Sequence, residues 1–376
     1  MIDDSLKPVG FNRTKVLDLM KQKGLDGIFF STPENVFYTT GYPALPSSGN
    51  PIIYALRNQL PFFSFLGKDG KVALISWGGA SMGIDYEVDE IRPIFMATMI
   101  IDELAGITHD RLPSGSKLGV DSSFPYFALE VIRENCNPIT LVNADELIYQ
   151  ARLIKTPAEI ERIKKSTAII DKTVRELADI LHLGMTRLDL IREAKSRLIK
   201  NGADAVDHVT VAFGGANPEI ALGEPLEKNQ IVTLDLGGIY QGYVSDNRRL
   251  VYTGKIPTEL KELHLKLCSI VAELGQALQP GKTFGEVNAY AYELYAKAGI
   301  DPLFLHVGHS LGLQVEEKWI LGDDPTRIEP GMVLNIELYS TSPESVMIGD
   351  EETFVITEKG PVKISTLPVE MIEKAL

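Results

Sequence analysis

The chain has 376 residues, of which 44% are hydrophobic, and this length is enough to bury more than one core. Its 37 lysine and arginine residues against 51 aspartate and glutamate residues give a formal net charge of −14, which argues against nucleic acid and anionic membranes as partners. We find no secretory signal and no run of about 18 apolar residues, so we expect a cytoplasmic protein that does not span a membrane.

The first part of the chain alternates helical and strand-like patterns. A helix is predicted near Asn12 to Gly24, and an apolar strand follows at Gly27 to Phe30. Three further strands are predicted at Pro61 to Leu66, Val72 to Ile75 and Lys117 to Val120. Such alternation indicates an α/β layer architecture.

A new pattern begins with a helix start in the middle of the chain. Thr156 is the predicted N-cap, Pro157 occupies the first helical position, and Glu159 completes a capping box. Apolar residues then recur at steps of three and four positions, which predicts a long helix with one buried stripe. We therefore place a domain boundary just before it and predict domains at residues 1–152 and 153–376.

The second part mixes helices with strands that look antiparallel, which is typical of an α+β domain. Helices are predicted at about Arg187 to Asn201 and at Thr258 to Leu278. A third begins at a second capping box, Thr283 with Glu286, and ends at Gly299. The predicted strands are Ile231 to Leu236, Arg249 to Tyr252, Met332 to Glu337 and Thr353 to Ile356.

Four carboxylates in the second part occupy unusual positions. Asp235 and Asp246 stand eleven positions apart on either side of a glycine-rich segment, where a hairpin would bring them together. Asp235 lies in an apolar run, so its burial would be costly without a cation or hydrogen-bond donors. Glu337 ends one apolar strand and Glu351 precedes another, and each alone would be typical of an exposed strand end.

His309 follows an apolar stretch and is followed by Gly312, so backbone can approach closely there. A histidine in this position could be a core residue. Four carboxylates converging on one imidazole would repel one another unless about four positive charges lay between them, and two divalent cations supply that charge. A site rich in oxygen ligands with one histidine is typical of Mn, Fe, Co or Zn and is unlike a thiolate metal site. Cys136 and Cys268 are far apart and are predicted core residues.

The order and spacing of these five residues resemble the pita-bread metallopeptidases, the family of prolidase, aminopeptidase P, methionine aminopeptidase and the metal-free creatinase. The segment from Ser31 to Tyr42 is similar to the signature of the creatinase-type N-terminal domain. The segment from Leu153 to Glu161 resembles the one that opens the catalytic domain. The resemblance implies an α/β creatinase-type N-terminal domain followed by an α+β pita-bread catalytic domain, in a homodimer.

The resemblance also implies a function, that of a metallopeptidase acting on Xaa-Pro dipeptides or on peptides with an N-terminal Xaa-Pro bond. It implies two divalent metal ions per chain and a small peptide substrate. A water that bridges the metals would attack the carbonyl, and Glu337 would accept its proton. The implied metal ligands are Asp235, Asp246, His309, Glu337 and Glu351.

This chain departs from the family pattern around the expected substrate pocket. Glu219 and Glu316 stand where these peptidases usually have histidines, and Gly349 replaces a common arginine. An ionised glutamate cannot donate a hydrogen bond to an oxyanion, so these two residues, if they line the pocket, would instead favour a cationic substrate group. The alternative is a local realignment in which one or both glutamates point to solvent. Ser310 replaces a usual glycine, and His306 is a further candidate for the pocket wall.

Other interpretations remain open. One is a metal-dependent C–N hydrolase or lyase acting on a small, cationic non-peptide molecule, and another is a non-catalytic binding protein on the same fold. The G-x-S-x-G motif around Ser310 is typical of α/β-hydrolases, but no histidine follows it to act as a base. His208, beside Asp207, could approach the site, but we interpret it as a structural histidine, and we interpret Trp319 and Tyr243 as packing aromatics.

Overall fold

The computed structural model describes residues 7–220 and 223–376. The chain divides into two units with dense internal contacts, Met1–Arg152 and Leu153–Leu376. None of the helices within the described residues reaches the length and hydropathy that a bilayer crossing requires.

A six-stranded mixed sheet forms the centre of the first unit, in the order β4-β3-β2-β1-β5-β6. The strands are β1 (Gly27–Phe30), β2 (Phe63–Gly67), β3 (Val72–Trp77), β4 (Glu90–Ile94), β5 (Lys117–Val120) and β6 (Thr140–Asn143). The helices are α1 (Arg13–Lys23), α2 (Pro33–Thr40), α3 (Ile52–Ala55), α4 (Gly78–Ser81), α5 (Met99–Arg111), α6 (Tyr126–Asn135) and α7 (Asp145–Arg152). Parallel and antiparallel pairs with intervening helices confirm the predicted α/β layers.

Helix α1 begins and ends where its sequence predicts, because both of its ends are capped. The Asn12 side chain accepts a hydrogen bond from the Lys15 backbone N–H at 3.1 Å. At the other end, Gly24 adopts a left-handed conformation with φ of 65°, which glycine reaches without steric strain.

Two sheets and four helices form the second unit. The helices are α8 (Pro157–Ile180), α9 (Arg187–Lys200), α10 (Thr258–Ala277) and α11 (Phe284–Ala298). The strands are β7 (Ala205–Phe213), β8 (Ile231–Tyr240), β9 (Tyr243–Tyr252), β10 (His306–Ser310), β11 (Lys318–Leu321), β12 (Val333–Thr341), β13 (Met347–Thr357), β14 (Gly360–Lys363) and β15 (Ile372–Glu373). One sheet has the order β15-β9-β8-β7 and the other the order β11-β10-β12-β13-β14.

The helices of this unit leave one side of each sheet free for other groups. Apolar residues of α8 and α9 share a core with β7 and β8. Those of α10 and α11 share a second core with β12 and β13. Strand β9 of the first sheet contacts β13 of the second. The polar side chains described below therefore meet between two sheets that are each backed by helices.

The β8–β9 hairpin is longer than predicted, and its turn lies elsewhere. Gly237 and Gly238, which the sequence placed in the turn, lie inside β8. The turn consists of Gln241 and Gly242, whose φ angles of 47° and 88° are both positive, as in the hairpin turns that match strand twist. A glycine-rich segment was therefore misinterpreted as a turn.

Strands β12 and β13 are also longer than predicted. Glu337 and Glu351 lie in the middle of these strands rather than at exposed ends, and they pair directly across the ladder. Both side chains are buried, with exposed fractions of 7% and 1%. The two glutamates are therefore held on the rigid part of a sheet.

Candidate metal centre

Strand register brings the predicted carboxylates together. On the first sheet, Asp235 of β8 lies opposite Arg248, and Asp246 of β9 lies opposite Gly237. Side chains two positions apart on a strand share a face, so Asp246 and Arg248 point to the same side. His309 lies on β10, which pairs with β12, and its imidazole approaches the two strands from the second sheet.

The distances show one group of three side chains around His309. Its Nε2 atom lies 3.4 Å from Asp246 Oδ2 and 3.9 Å from Glu337 Oε1. Although burial opposes the charged form, Asp246 and Glu337 raise the pKa of His309 to about 9. Asp246 responds in the opposite direction, because His208 and His309 hold its pKa below the ordinary value despite burial.

A second group of side chains forms around His208. This histidine therefore approaches the site, and its interpretation as a merely structural residue is wrong. His208 Nε2 lies 3.1 Å from Asp235 Oδ1 and 3.3 Å from Asp246 Oδ1. Ligand atoms of these three residues all lie within 4.8 Å of one another. Gly237 makes room for the ring, because a Cβ there would lie 2.3 Å from His208 Nδ1. Asp246 belongs to both groups.

Glu351 is the most crowded carboxyl of the centre. Burial, together with Asp246, Asp235 and Glu337, raises its pKa well above the ordinary value. The Tyr339 hydroxyl lies 2.5 Å from Glu351 Oε1 and 2.8 Å from Glu337 Oε2. Four acidic groups at this spacing cannot all ionise unless further positive charge joins them.

The donor set fits divalent metal ions. Asp246 Oδ1 and Glu337 Oε1 are buried and accept no hydrogen bond of good geometry from the described residues, although imidazole nitrogens of His208 and His306 lie 3.3 Å and 3.1 Å from them. Buried acceptors without a donor are rare in folded proteins, and a cation satisfies them. Carboxylate oxygens with imidazole nitrogens are typical ligands of Mn, Fe, Co and Zn.

A cavity of about 350 Å³ opens beside the carboxylates. Its wall includes the three residues that the sequence suggested for substrate binding, Glu219, Glu316 and His306. Trp319, interpreted as a packing aromatic, also lines this cavity, whereas Tyr243 is buried and its hydroxyl lies 3.1 Å from Glu159 Oε1. Tyr243 is therefore a packing residue, whereas Trp319 both packs against His306 and His309 and faces the cavity.

The three wall residues have different surroundings. Glu219 is exposed, and its backbone N–H donates to the Asn217 side chain at 2.9 Å. Glu316 is exposed at the cavity wall, and partial desolvation together with Glu337 raises its pKa. His306 lies with Nδ1 3.1 Å from Glu337 Oε1, although the two atoms lack hydrogen-bond geometry.

Aromatic rings hold His306 in place on the cavity wall. Its ring stacks on Phe304 with centroids 5.3 Å apart and planes 12° apart. The Trp319 ring also contacts His306, with centroids 4.3 Å apart and planes tilted by 51°. An imidazole fixed in this way presents its nitrogen atoms in a constant direction.

The sequence did not identify Arg248 or Tyr339 as part of the site. Both are buried and line the cavity. Strand alternation from Asp246 and from Glu337 was the signal that could have found them, because each lies two positions after a predicted ligand.

Two family models match the chain. That of metallopeptidase family M24 covers residues 161–358, and that of the creatinase/prolidase N-terminal domain covers residues 13–154. The chain is 26% identical over 367 residues to the Xaa-Pro dipeptidase of Pyrococcus furiosus, covering 95% of this chain and 98% of the relative. It is 28% identical over 372 residues to an uncharacterized peptidase of Bacillus subtilis, with coverage of 95% and 98%.

Solved structures agree in fold. The prolidase from Pyrococcus horikoshii superposes with a TM-score of 0.82 at 22% identity, covering 96% of this chain and 99% of that one. The M24 match spans more than half of the sequence, and it includes every strand that carries Asp235, Asp246, His309, Glu337 and Glu351. The chain therefore belongs to metallopeptidase family M24 and carries a creatinase/prolidase N-terminal domain.

Proposed function

We propose that this chain is an Xaa-Pro dipeptidase or aminopeptidase-like enzyme that uses two divalent ions held by Asp235, Asp246, His309, Glu337 and Glu351. Membership of family M24 makes it a metallopeptidase-type hydrolase. The observation that carries the finer proposal is the convergence of four carboxylates on the wall of one cavity, three of them buried, with the buried His309 imidazole 3.4 Å from Asp246.

Cavity size supports a short substrate. A volume of about 350 Å³ lies near the lower end of the range for small-molecule sites, roughly 300 to 1,000 Å³. A dipeptide fits that space, whereas a long peptide would need an open groove. The relatives named Xaa-Pro dipeptidase support a preference for proline on the leaving side.

Bound divalent ions would lower the pKa of a water molecule and polarise the scissile carbonyl. Glu337 is the proposed proton acceptor at Oε1, because that oxygen has no hydrogen-bond donor among the described residues, whereas Oε2 faces the Tyr339 hydroxyl. His306 lies 3.1 Å from the same oxygen and is placed to carry a proton onward to the leaving amine.

The two wall glutamates give the pocket its expected selectivity. Glu316 lines the cavity beside the acidic centre and cannot donate to an oxyanion when ionised. We propose that Glu316 and Glu219 instead attract the free ammonium group of the substrate, while His306 supplies the donor. The ion identity (Mn, Co, Zn or Fe), the homodimer, the cytoplasmic location and the domain limits 1–152 and 153–376 stay predictions.

The test is hydrolysis of a matched dipeptide set, Ala-Pro, Ala-Ala and Pro-Ala, after loading with Mn²⁺, Co²⁺ or Zn²⁺. We expect cleavage of Ala-Pro above the other two, with Glu337→Gln at least about a thousandfold slower and the exposed control Glu259→Gln unchanged. Metal-loaded protein that cleaves none of the three would contradict the dipeptidase proposal and redirect the search to non-peptide C–N bonds.

A further inference from the structure

His208 is a histidine of the first sheet that lies beside both aspartates of the proposed metal centre. Its strand β7 pairs with β8, and the register of that pairing shifts between Val206 and Val209. An irregularity of this kind takes a side chain out of the regular alternation of a strand and re-aims it. The imidazole of His208 accordingly points toward Asp235 and Asp246 and lines the cavity.

The spacing around the Nε2 atom of His208 is that of ligands that share one metal ion. Nε2 lies 3.1 Å from Asp235 Oδ1 and 3.3 Å from Asp246 Oδ1. Two ligand atoms that each lie about 2.1 Å from an ion, at right angles to each other, are about 3.0 Å apart. Ligand atoms of all three residues lie within 4.8 Å of one another. One ion therefore fits among the three groups.

Hydrogen bonding from the imidazole leaves part of this arrangement unexplained. The Nε2 atom of His208 has hydrogen-bond geometry toward Asp235 Oδ1. Asp246 Oδ1 is buried and has no donor of good geometry in residues 7–220 and 223–376. A buried carboxylate oxygen without a partner is costly, and a cation in contact with both aspartates and the imidazole nitrogen removes that cost.

Asp207 and Gly237 hold the ring of His208 in the orientation that a metal ligand needs. Asp207 Oδ2 lies 3.0 Å from His208 Nδ1. A carboxylate at this nitrogen keeps the proton there and leaves Nε2 free for an ion, as in the carboxylate–histidine–metal arrangement of many metal sites. A Cβ at Gly237 would lie 2.3 Å from the same Nδ1, so the missing side chain gives the ring its space.

Asp246 faces a different imidazole with each of its two oxygens. Oδ1 lies 3.3 Å from His208 Nε2, and Oδ2 lies 3.4 Å from His309 Nε2. The two histidines belong to different sheets, since His208 lies on β7 and His309 on β10. An aspartate in this position can bridge two ions, and each ion then has an imidazole on its own side.

We propose that His208 is a sixth metal ligand, which binds through Nε2 the ion that Asp235 and Asp246 hold. The centre then has one imidazole ligand from each sheet, His208 for one ion and His309 for the other. This inference rests on the proposed two-metal function and adds one residue to its five ligands.

X-ray absorption spectroscopy of the Co²⁺-loaded full chain tests the proposal, because coordinated imidazole rings scatter characteristically and can be counted. The wild type is compared with His208→Gln, His306→Gln and His109→Gln. Glutamine keeps a hydrogen-bonding group but has no imidazole ring. His306 is included because its Nδ1 lies 3.1 Å from another proposed ligand atom, Glu337 Oε1. His109 is the control, because its side chain is 82% exposed and belongs to the first unit.

We expect about one imidazole per Co²⁺ ion in the wild type, in His306→Gln and in His109→Gln, and about half of that number in His208→Gln. Calorimetric titration with Co²⁺ gives a second readout. His208→Gln should bind one of the two ions at least about tenfold more weakly than the His109→Gln control does.

An imidazole count that His208→Gln does not lower, or that His306→Gln lowers instead, would overturn the inference and leave the two-metal proposal intact. A wild-type protein that binds fewer than two Co²⁺ ions would overturn both. If circular dichroism shows His208→Gln to be unfolded, Gly237→Ala takes its place, because its Cβ displaces the same ring, and Gly238→Ala becomes the control.

Discussion

At the scale of single residues, the centre is defined by crowded acids and by the space that glycines leave for their partners. The five predicted ligands could be selected from the sequence because Asp235 is conspicuous in an apolar run and because the order and spacing of all five resemble a known family. His208 could not, because its place beside Asp235 depends on the pairing of β7 with β8, and a register shift interrupts that pairing between Val206 and Val209. No local pattern predicts such a shift.

Gly237 provides a test of the position of His208. A Cβ at Gly237 would lie 2.3 Å from His208 Nδ1, so Gly237→Ala should displace the imidazole and weaken Mn²⁺ binding by about tenfold or more. Gly238→Ala is a matched control on the same strand, because its Cβ would lie 3.6 Å from the nearest atom, an ordinary contact. Titration calorimetry on both variants measures the effect. Equal affinities in the two variants would show that His208 does not support the centre.

Metal affinity should depend on pH. The surrounding Asp246 and Glu337 raise the pKa of His309 to about 9 despite its burial, and a histidine ligand must be neutral. Below that pH metal binding must release the proton, so the affinity should rise with pH, by about tenfold per pH unit for each proton released, and level off above pH 9. Titrations between pH 6 and pH 9 in buffers of different ionisation enthalpy measure the proton count. An affinity independent of pH would contradict this role for His309.

At the scale of helices and strands, the capping signals at helix starts were predictable from the sequence, whereas the lengths of the strands were not. Both capping boxes, at Thr156 and at Thr283, are confirmed, since a cap depends on residues only three positions apart. The extension of β8 through Gly237 and Gly238 was missed, because pairing with a long partner strand overrides the weak strand preference of glycine. The extra length is what places Asp235 and Asp246 in mid-strand.

The cap of α8 has a measurable contribution to stability. Thr156 accepts from the Glu159 backbone N–H, and the Glu159 side chain accepts from the Thr156 N–H at 2.7 Å. Thr156→Ala should lower the free energy of unfolding by about 1 kcal/mol. The exposed Thr258, at the start of α10, is not a cap. Thr258→Ala should therefore change the free energy of unfolding by less than about 0.5 kcal/mol. Urea unfolding measures the free energy of unfolding of both variants. Equal losses of stability in the two would contradict the role of Thr156 as a cap.

At the scale of the whole molecule, the order of patterns along the chain was enough to predict the fold class. The match to two family models confirms a creatinase-type domain followed by a pita-bread catalytic domain. Similarity to relatives between 25% and 28% identical extends over 95% of this chain. The cavity is lined by side chains from several strands and loops, and sequence order does not reveal their directions.

Metal binding should stabilise the unit that holds the centre. Ions bind the folded site and not the unfolded chain, so saturation at one hundred times the dissociation constant adds about 2.7 kcal/mol. All five proposed ligands lie in Leu153–Leu376, and we expect thermal unfolding of that unit to shift upward with Mn²⁺. His309→Ala should abolish the shift. A shift that persists in this variant would indicate that Mn²⁺ binds elsewhere.

The central claim is that five residues from five strands hold metal ions between the two sheets. A crystal structure of Mn²⁺-loaded protein, with anomalous diffraction recorded at the manganese edge, tests it most directly. We expect two anomalous peaks, each within about 2.0 to 2.3 Å of oxygen or nitrogen atoms. The ligands should be Asp235, Asp246, His309, Glu337 and Glu351. Fully loaded crystals with no peak among these side chains, or with peaks only at the surface, would contradict the claim.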